Sequence, residues 1–532
     1  MFINLNALRN FSLGLKSNRV ISFILLIWTA FLIIVSLYDF WLVTFNTGLS
    51  IISKLISGAL IISSLFWLIH CVSYMDKLLR SVLIYNIYNI SGGDFDTFDA
   101  PKVAVVVPVF NEESLIVESS LNACKHINYK AFEIYLLDDT IDIEKSNELV
   151  KLANRLDINY IHRSNRRGFK AGAINDSIDT FSKDTDYLLV VDVDHKVEPH
   201  ILAKLVPLLG KNTSLSFVQT PQYFTKETKD KLAVLYSIQQ HIFNKHLCRG
   251  LDVNGAAVMT GSNVLIRLSH LREIGGMDES CITEDIATSF NFQFHGYRGI
   301  FLDQIYAEGI APPNLSAYFI QQTRWAYGTT QNFKRILNLF LKQEGNLGIQ
   351  QWKEHLLTGS WYLLSGWSFV MSMFLTILTL IFFIKLPVIN IGLLLIINSL
   401  LVIALIFITL KRERDFHFVD LLMCIALFFG LYFTYARSSA YAILGRKMEF
   451  TVTPKVIKCY EMNILISQIL PYLILIIAFS ILLYPYRIDS ISSGYDKPII
   501  AIYWVGYNAV MFLLLFLIYL GDKRKADAQN GF

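Results

Sequence analysis

The chain has 532 residues, 54% of them hydrophobic and 14% aromatic, and its mean hydropathy of +0.45 is too high for a soluble domain of ordinary composition. A formal net charge of +4, with no long Lys/Arg run, excludes nucleic acid as a partner. The six cysteines, Cys71, Cys124, Cys248, Cys281, Cys424 and Cys459, show neither CxxC pairs nor zinc-finger spacing to His, and they read as reduced, mostly buried thiols.

Two apolar tracts come first, Val20 to Val43 and Ser50 to Val72, each longer than the roughly 20 residues that cross a bilayer core. The first lacks the short apolar core and small-residue cleavage site of a secretory leader, so residues 1–75 read as a membrane region of two helices. Over 100–338 charges return to normal density and strand-like and helix-like patterns alternate, which predicts a folded aqueous domain. Apolar tracts resume at Leu356 to Phe383, Val388 to Leu410, Met462 to Leu483 and Ile499 to Leu520, giving a second membrane region over 355–521 and six predicted spans. Basic residues flank the cytoplasmic ends of spans. Arg9, Lys16 and Arg19 precede the first tract and Lys411, Arg412 and Arg414 follow the fourth, so the aqueous domain is expected on the cytoplasmic face of the cell membrane. Phe418 to Tyr435 is also apolar, but Arg437, Arg446, Lys447, Lys455 and Lys458 follow it. With positive charge at both ends, residues 418–445 are predicted to lie in the inner interface rather than to span.

Within the aqueous domain, "KVAVVVPVFNEE" reads as a strand buried on both faces of a parallel sheet, and "FEIYLLDDT" and "DYLLVVDVDH" repeat the form. Asp138 and Asp139 fall where the second would end, and Asp192 and Asp194 where the third would. Ligands of open α/β sheets bind beyond the carboxyl ends of the strands, so these acids are expected to converge. Asp192 and Asp194 are one residue apart, and on an extended chain both would face one side. Such a pair holds a hard cation, Mg2+ or Mn2+, whose remaining positions a substrate diphosphate would fill. His195 offers either a nitrogen ligand suited to Mn2+ or a structural role. Lys170, in "RGFKAGAIN", sits at a loop-to-helix junction that suits phosphate, or alternatively starts a helix in solvent. "CITEDIATSFNFQFHGY" begins an amphipathic helix, with Thr283 reading first as its N-cap and Glu284 beside Asp285, the candidate general base. Inverting sugar transfer needs a carboxylate to take the acceptor hydroxyl's proton and a metal to take up the leaving charge.

Asp138, the Asp192 and Asp194 pair, "TED" at Thr283 to Asp285, and Q-x-x-R-W at Gln321, Arg324 and Trp325 occur in that order. The ordered set resembles the processive family 2 glycosyltransferases of the cellulose, chitin and hyaluronan synthase group, over roughly residues 100 to 520. "FTVTPK" at Phe450 to Lys455, similar to an F-x-V-T-x-K gating loop, and the His after the second metal Asp bring the resemblance nearest to the bacterial cellulose synthase catalytic subunit. The resemblance implies an α/β glycosyltransferase domain of GT-A (Rossmann-like) type inserted into a multi-span helical membrane domain. It implies that Asp138, with Asp139 beside it, binds the uridine of a UDP-sugar, and that Asp192 and Asp194 bind nucleotide and metal. Thr260, Gly261 and Ser262 would lie near the acceptor and Trp325 would stack on it. Arg324 and Gln321 would engage the diphosphate, and Phe450, Val452, Thr453 and Lys455 would cover the nucleotide. The reaction implied is processive, inverting transfer of glucose from UDP-glucose to a growing β-glucan, β-1,4 favoured, coupled to export across the bilayer, with an accessory export subunit as a further partner. A β-1,3 or mixed-linkage glucan, hyaluronan, chitin and mannan stay open as products. So do non-processive transfer to a polyprenyl phosphate and a transporter or scaffold with a degenerate transferase domain.

Overall fold

The strands of the aqueous domain form where β-branched runs alternate between two apolar layers. In β1 (Lys102–Val109) Val103, Val105, Val107 and Val109 join one buried cluster while Ala104 and Val106 join another, the period of two that places a strand between helices on both faces. The computed structural model describes residues 5–85, 100–224, 230–381, 389–413, 417–448, 470, 472–474, 476–477, 480 and 499–530. The remaining strands are β2 (Phe132–Asp138), β3 (Asn159–His162), β4 (Thr185–Val190), β5 (Lys196–Val197), β6 (Leu215–Gln219), β7 (Tyr223–Phe224), β8 (Val264–Arg267), β9 (Arg298–Phe301) and β10 (Ala307–Gly309).

Seven of them make one sheet in the order β3-β2-β1-β4-β8-β6-β9, and β5-β10-β7 make a small second sheet. The three strands expected from sequence are adjacent and parallel, with Val109 opposite Asp138 and Val106 opposite Val190. β8 runs antiparallel to both β4 and β6, and sequence reasoning did not anticipate it. Its reversed direction matters, because it brings residues 260–263 to the edge where β4 ends: Val190 lies opposite Val264, and Asn263 N–H donates to the Val190 carbonyl at 2.8 Å.

Among the described residues six helical stretches are long and apolar enough to cross a membrane: Val20–Phe45, Ile51–Leu83, Ile349–Leu378, Asn390–Lys411, Phe418–Ile443 and Gly506–Lys525. The set differs from the expected one. The Met462 to Leu483 tract lies largely outside the described residues, and Phe418–Ile443 joins the six. That stretch is two helices, Phe418–Phe429 and Tyr432–Ile443, meeting at Gly430 and Leu431. Leu421, Cys424, Leu427 and Tyr435 of this pair pack with Leu235 and Tyr318 of the aqueous domain. Tyr435 also donates to Gln322 Oε1 at 2.9 Å, and Tyr327 to the Arg446 carbonyl at 3.0 Å, so the helix Leu315–Leu341, which carries Q-x-x-R-W, rests on it. The five cysteines within the described residues are free and buried, as expected.

Candidate active site

The carboxyl ends of β1, β2 and β4 share one edge, and beside them lie the loop that enters β8 and the start of the helix Glu284–Phe294. Lys170, the second residue of the helix Phe169–Ser177, links the first of these groups: its Nζ donates to Asp192 Oδ1 at 2.5 Å and to the Gly261 carbonyl at 2.6 Å. Burial pulls its pKa down, but the carboxylates of Asp192, Glu284 and Asp285 outweigh that and the net direction is up, so the ammonium stays charged. Asp192 is fixed from the other side by Ser262, whose hydroxyl accepts from the Asp192 amide at 2.8 Å. Gly261 has φ +94°, and a Cβ there would stand 3.2 Å from Asp285 Oδ2, so only glycine leaves that carboxylate open to the loop. Thr260 is held by Gln219 and Gln222, residues whose part in the site was not read from sequence although "VQTPQYF" places both just after a strand pattern.

Asp192 and Asp194 were expected on one face of an extended strand. Instead β4 stops at Val190 and the chain turns, with His195 N–H donating to the Asp192 carbonyl at 2.9 Å. The turn, not strand alternation, gathers the group: ligand atoms of Asp192, Asp194 and His195 all lie within 4.8 Å of one another. His195 is 3% exposed, yet neither ring nitrogen makes a hydrogen bond, and its Nδ1 stands 3.3 Å from Asp194 Oδ1. A buried imidazole without hydrogen-bond partners beside two carboxylates fits a divalent cation, since leaving such nitrogens unsatisfied is otherwise costly.

The acids of the third motif face this group. Burial and the neighbouring Asp285 push the Glu284 carboxyl up to about 7, and burial raises Asp285 as well. The pair therefore holds a proton at higher pH than ordinary carboxylates. The acid limb of the rate–pH profile is accordingly expected above the usual carboxylate range, and Glu284→Gln, which removes the like charge, is expected to move it to lower pH; a limb that stays in place would show the two acids act independently. Thr283 occupies the N-cap position as expected, but its hydroxyl makes no capping bond. It packs against Gly328, where a Cβ would meet Thr283 at 2.8 Å, so glycine lets the Q-x-x-R-W helix approach the acids.

On that helix Gln321, Arg324 and Trp325 share a face at three- and four-residue spacing. Burial lowers the Arg324 guanidinium, which lies within electrostatic reach of Glu284, Asp192, Asp285 and Tyr236. Gln321 accepts from Tyr236 OH at 2.9 Å. Tyr236 is 2% exposed and lies within electrostatic reach of both Asp194 and Arg324, although nothing in its apolar helix pattern marked it. Trp325 is half-buried. Lys170, Asp192, Glu284, Asp285 and Arg324 are thus brought together.

Asp138 and Asp139 sit differently from the expectation that strand ends present acids at the edge. Asp138 is fully buried and accepts from Thr140 N, Ser146 Oγ, Tyr160 OH and His162 Nδ1 at 2.8, 2.8, 2.6 and 3.3 Å. Burial alone would raise its pKa, but these donors prevail and hold it below the ordinary value. Asp139 is gripped by Arg163 through two bonds of 2.7 and 2.6 Å. Phe450, Val452, Thr453 and Lys455 lie outside the described residues.

Residues 101–328 match the family described as "Glycosyltransferase like family 2". The chain is 26% identical over 296 residues to glucomannan 4-beta-mannosyltransferase 7 of Arabidopsis thaliana, covering 53% of this chain and 51% of that protein. It is 31% identical over 241 residues to the UDP-forming cellulose synthase catalytic subunit of Xanthomonas axonopodis pv. citri, covering 43% of this chain and 32% of that one. The chain thus spans about half or less of these relatives' length. The solved mannosyltransferase PcManGT from Pyrobaculum calidifontis, in complex with GDP-Man and Mn2+, superposes at a TM-score of 0.44 with 15% identity, over 74% of this chain and 96% of that one.

Proposed function

Taking residues 101–328 as a family 2 glycosyltransferase domain with a GT-A-type sheet, we propose that the chain is a processive, inverting polysaccharide synthase that uses UDP-glucose to extend a β-1,4-linked glucan and passes it across the membrane. The observation that carries this reading is the meeting of Lys170, Asp192, Asp285 and Arg324 at one sheet edge. Arg324 and Lys170 bind and orient the diphosphate, with Gln321 and Tyr236 holding the arginine's helix in register. Asp285 takes the proton of the acceptor hydroxyl as its oxygen bonds to the sugar's anomeric carbon and the bond from that carbon to the nucleotide diphosphate breaks, the electron pair leaving with the diphosphate. Asp192, Asp194 and His195 would hold Mg2+ or Mn2+, which when bound supplies positive charge for the leaving diphosphate. Thr260, Gly261 and Ser262 border the acceptor, Trp325 gives its terminal sugar an apolar face, and Asp138 and Asp139 frame the uridine end. The domain faces the cytoplasm of a multi-pass chain in the cell membrane, and residues 418–445 lie along the inner interface.

A second reading, a mannan made from a mannose nucleotide, is favoured by the similarity to plant proteins named glucomannan 4-beta-mannosyltransferases. Full-length protein in detergent or vesicles, given UDP-glucose, UDP-N-acetylglucosamine, UDP-glucuronate and GDP-mannose separately, is expected to form polymer from UDP-glucose, with 4-linked glucose on linkage analysis. Polymer from GDP-mannose alone would replace the first reading with the second.

A further inference from the structure

The helix Glu284–Phe294 and the segment before β8 are joined at matched intervals. Gln293 Nε2 donates to the Ala257 carbonyl at 2.7 Å, the Met259 amide donates to Ser289 Oγ at 2.7 Å, and Asp285 lies against Gly261. The helix positions are four apart and the segment positions two apart. Four helical residues rise about 6 Å and two chain residues reach at most about 6.6 Å, so two positions of the segment can follow four of the helix, and the last rung is the reactive one. Ser289 reinforces the middle rung by donating to the Asp285 carbonyl at 2.7 Å.

The far end of this ladder is fastened by the helix Ile349–Ile381, which continues into an apolar candidate span. His355 is 4% exposed and its Nε2 stands 2.8 Å from Gln293 Oε1. Because the Gln293 amide nitrogen is committed to Ala257, its oxygen must accept, and His355 must carry its proton on Nε2. Phe290 meets the imidazole edge-on at 5.1 Å and fixes the ring. The same helix reaches the start of the segment twice more, Gln351 donating to the Gly255 carbonyl at 2.9 Å and Glu354 accepting from Asn254 at 2.9 Å.

We propose that His355 is a positioning residue: through Gln293 it sets the register of Asp285 against the Gly261 loop, so that the membrane helix holds the proton acceptor in place over the acceptor site. Its kinetic part rests on the reading of Asp285 given above; the register itself does not. His355 touches no substrate group, and when the ladder slips the donor site keeps the direct bond between Lys170 and Asp192, which does not pass through the loop.

The test uses the full-length protein in detergent with His355→Leu, His355→Gln, whose amide nitrogen reaches the place of Nε2, and the volume-conserving Gln293→Met. In His355→Leu and Gln293→Met, amide hydrogen exchange over residues 256–262 is expected to quicken and kcat to fall, each about tenfold or more, while the donor KM changes by less than about twofold. His355→Gln is expected to restore both to within about threefold of the parent. Unchanged exchange in His355→Leu and Gln293→Met, or a His355→Gln variant as impaired as His355→Leu, would overturn the proposal. If the parent transfers no sugar from any donor, the function fails, and the exchange measurement still decides the register.

Discussion

Replacing Asp285 with Asn is expected to lower sugar transfer by about 10²–10⁴-fold while leaving the fold and donor binding in place. The side chain keeps its size and can still accept from the Ile286 amide, which Asp285 Oδ1 bonds at 2.8 Å, so the helix start should survive. What is lost is the group that takes the proton. Glu284 next to it does not take its place, because it is the Asp285 carboxylate, not that of Glu284, that lies against the Gly261 loop. Turnover measured beside the thermal unfolding midpoint separates the outcomes: near-parent turnover would remove Asp285 from the role, and a collapsed midpoint would make it structural.

The second large effect is on stability. Arg163→Ala is expected to cost about 3–5 kcal/mol, because it strands a buried carboxylate. Arg163 bonds both oxygens of Asp139, reaches Asp176 at 2.9 Å, and donates to the Phe169 and Arg167 carbonyls, with both Arg163 and Asp139 nearly fully buried. The double replacement Asp139→Ala with Arg163→Ala is expected to be less damaging than Arg163→Ala alone, since no unpaired charge remains. Denaturant midpoints of the three variants check this; a double variant as unstable as the sum of the singles would mean the two act independently.

The strands were legible because their burial pattern is written in β-branched runs: "KVAVVVPV" and "FEIYLLD" form β1 and β2 at the expected places. β8 was not, because four residues, Val264–Arg267, give too short a pattern to distinguish from a helix start, and its antiparallel direction depends on tertiary packing alone. The acids were found by type and order, but their surroundings were not. Asp192 and Asp194 meet through a turn that no local pattern marked, and Asp138 lost its exposure to Tyr160 and His162, residues 22 and 24 positions away. Tyr236 and His355 lay in patterns that read as plain helix, since a side chain's bond to a residue 85 or 62 positions distant leaves no trace in its own segment.

The central claim is that this site extends a polymer held by the same chain. A pulse of labelled donor sugar given to the full-length protein in vesicles, followed by an unlabelled chase, tests it most directly. The account predicts label in a carbohydrate that lengthens during the chase and stays out of the lipid extract. Label confined to lipid, or to products one sugar longer than the acceptor, would contradict it.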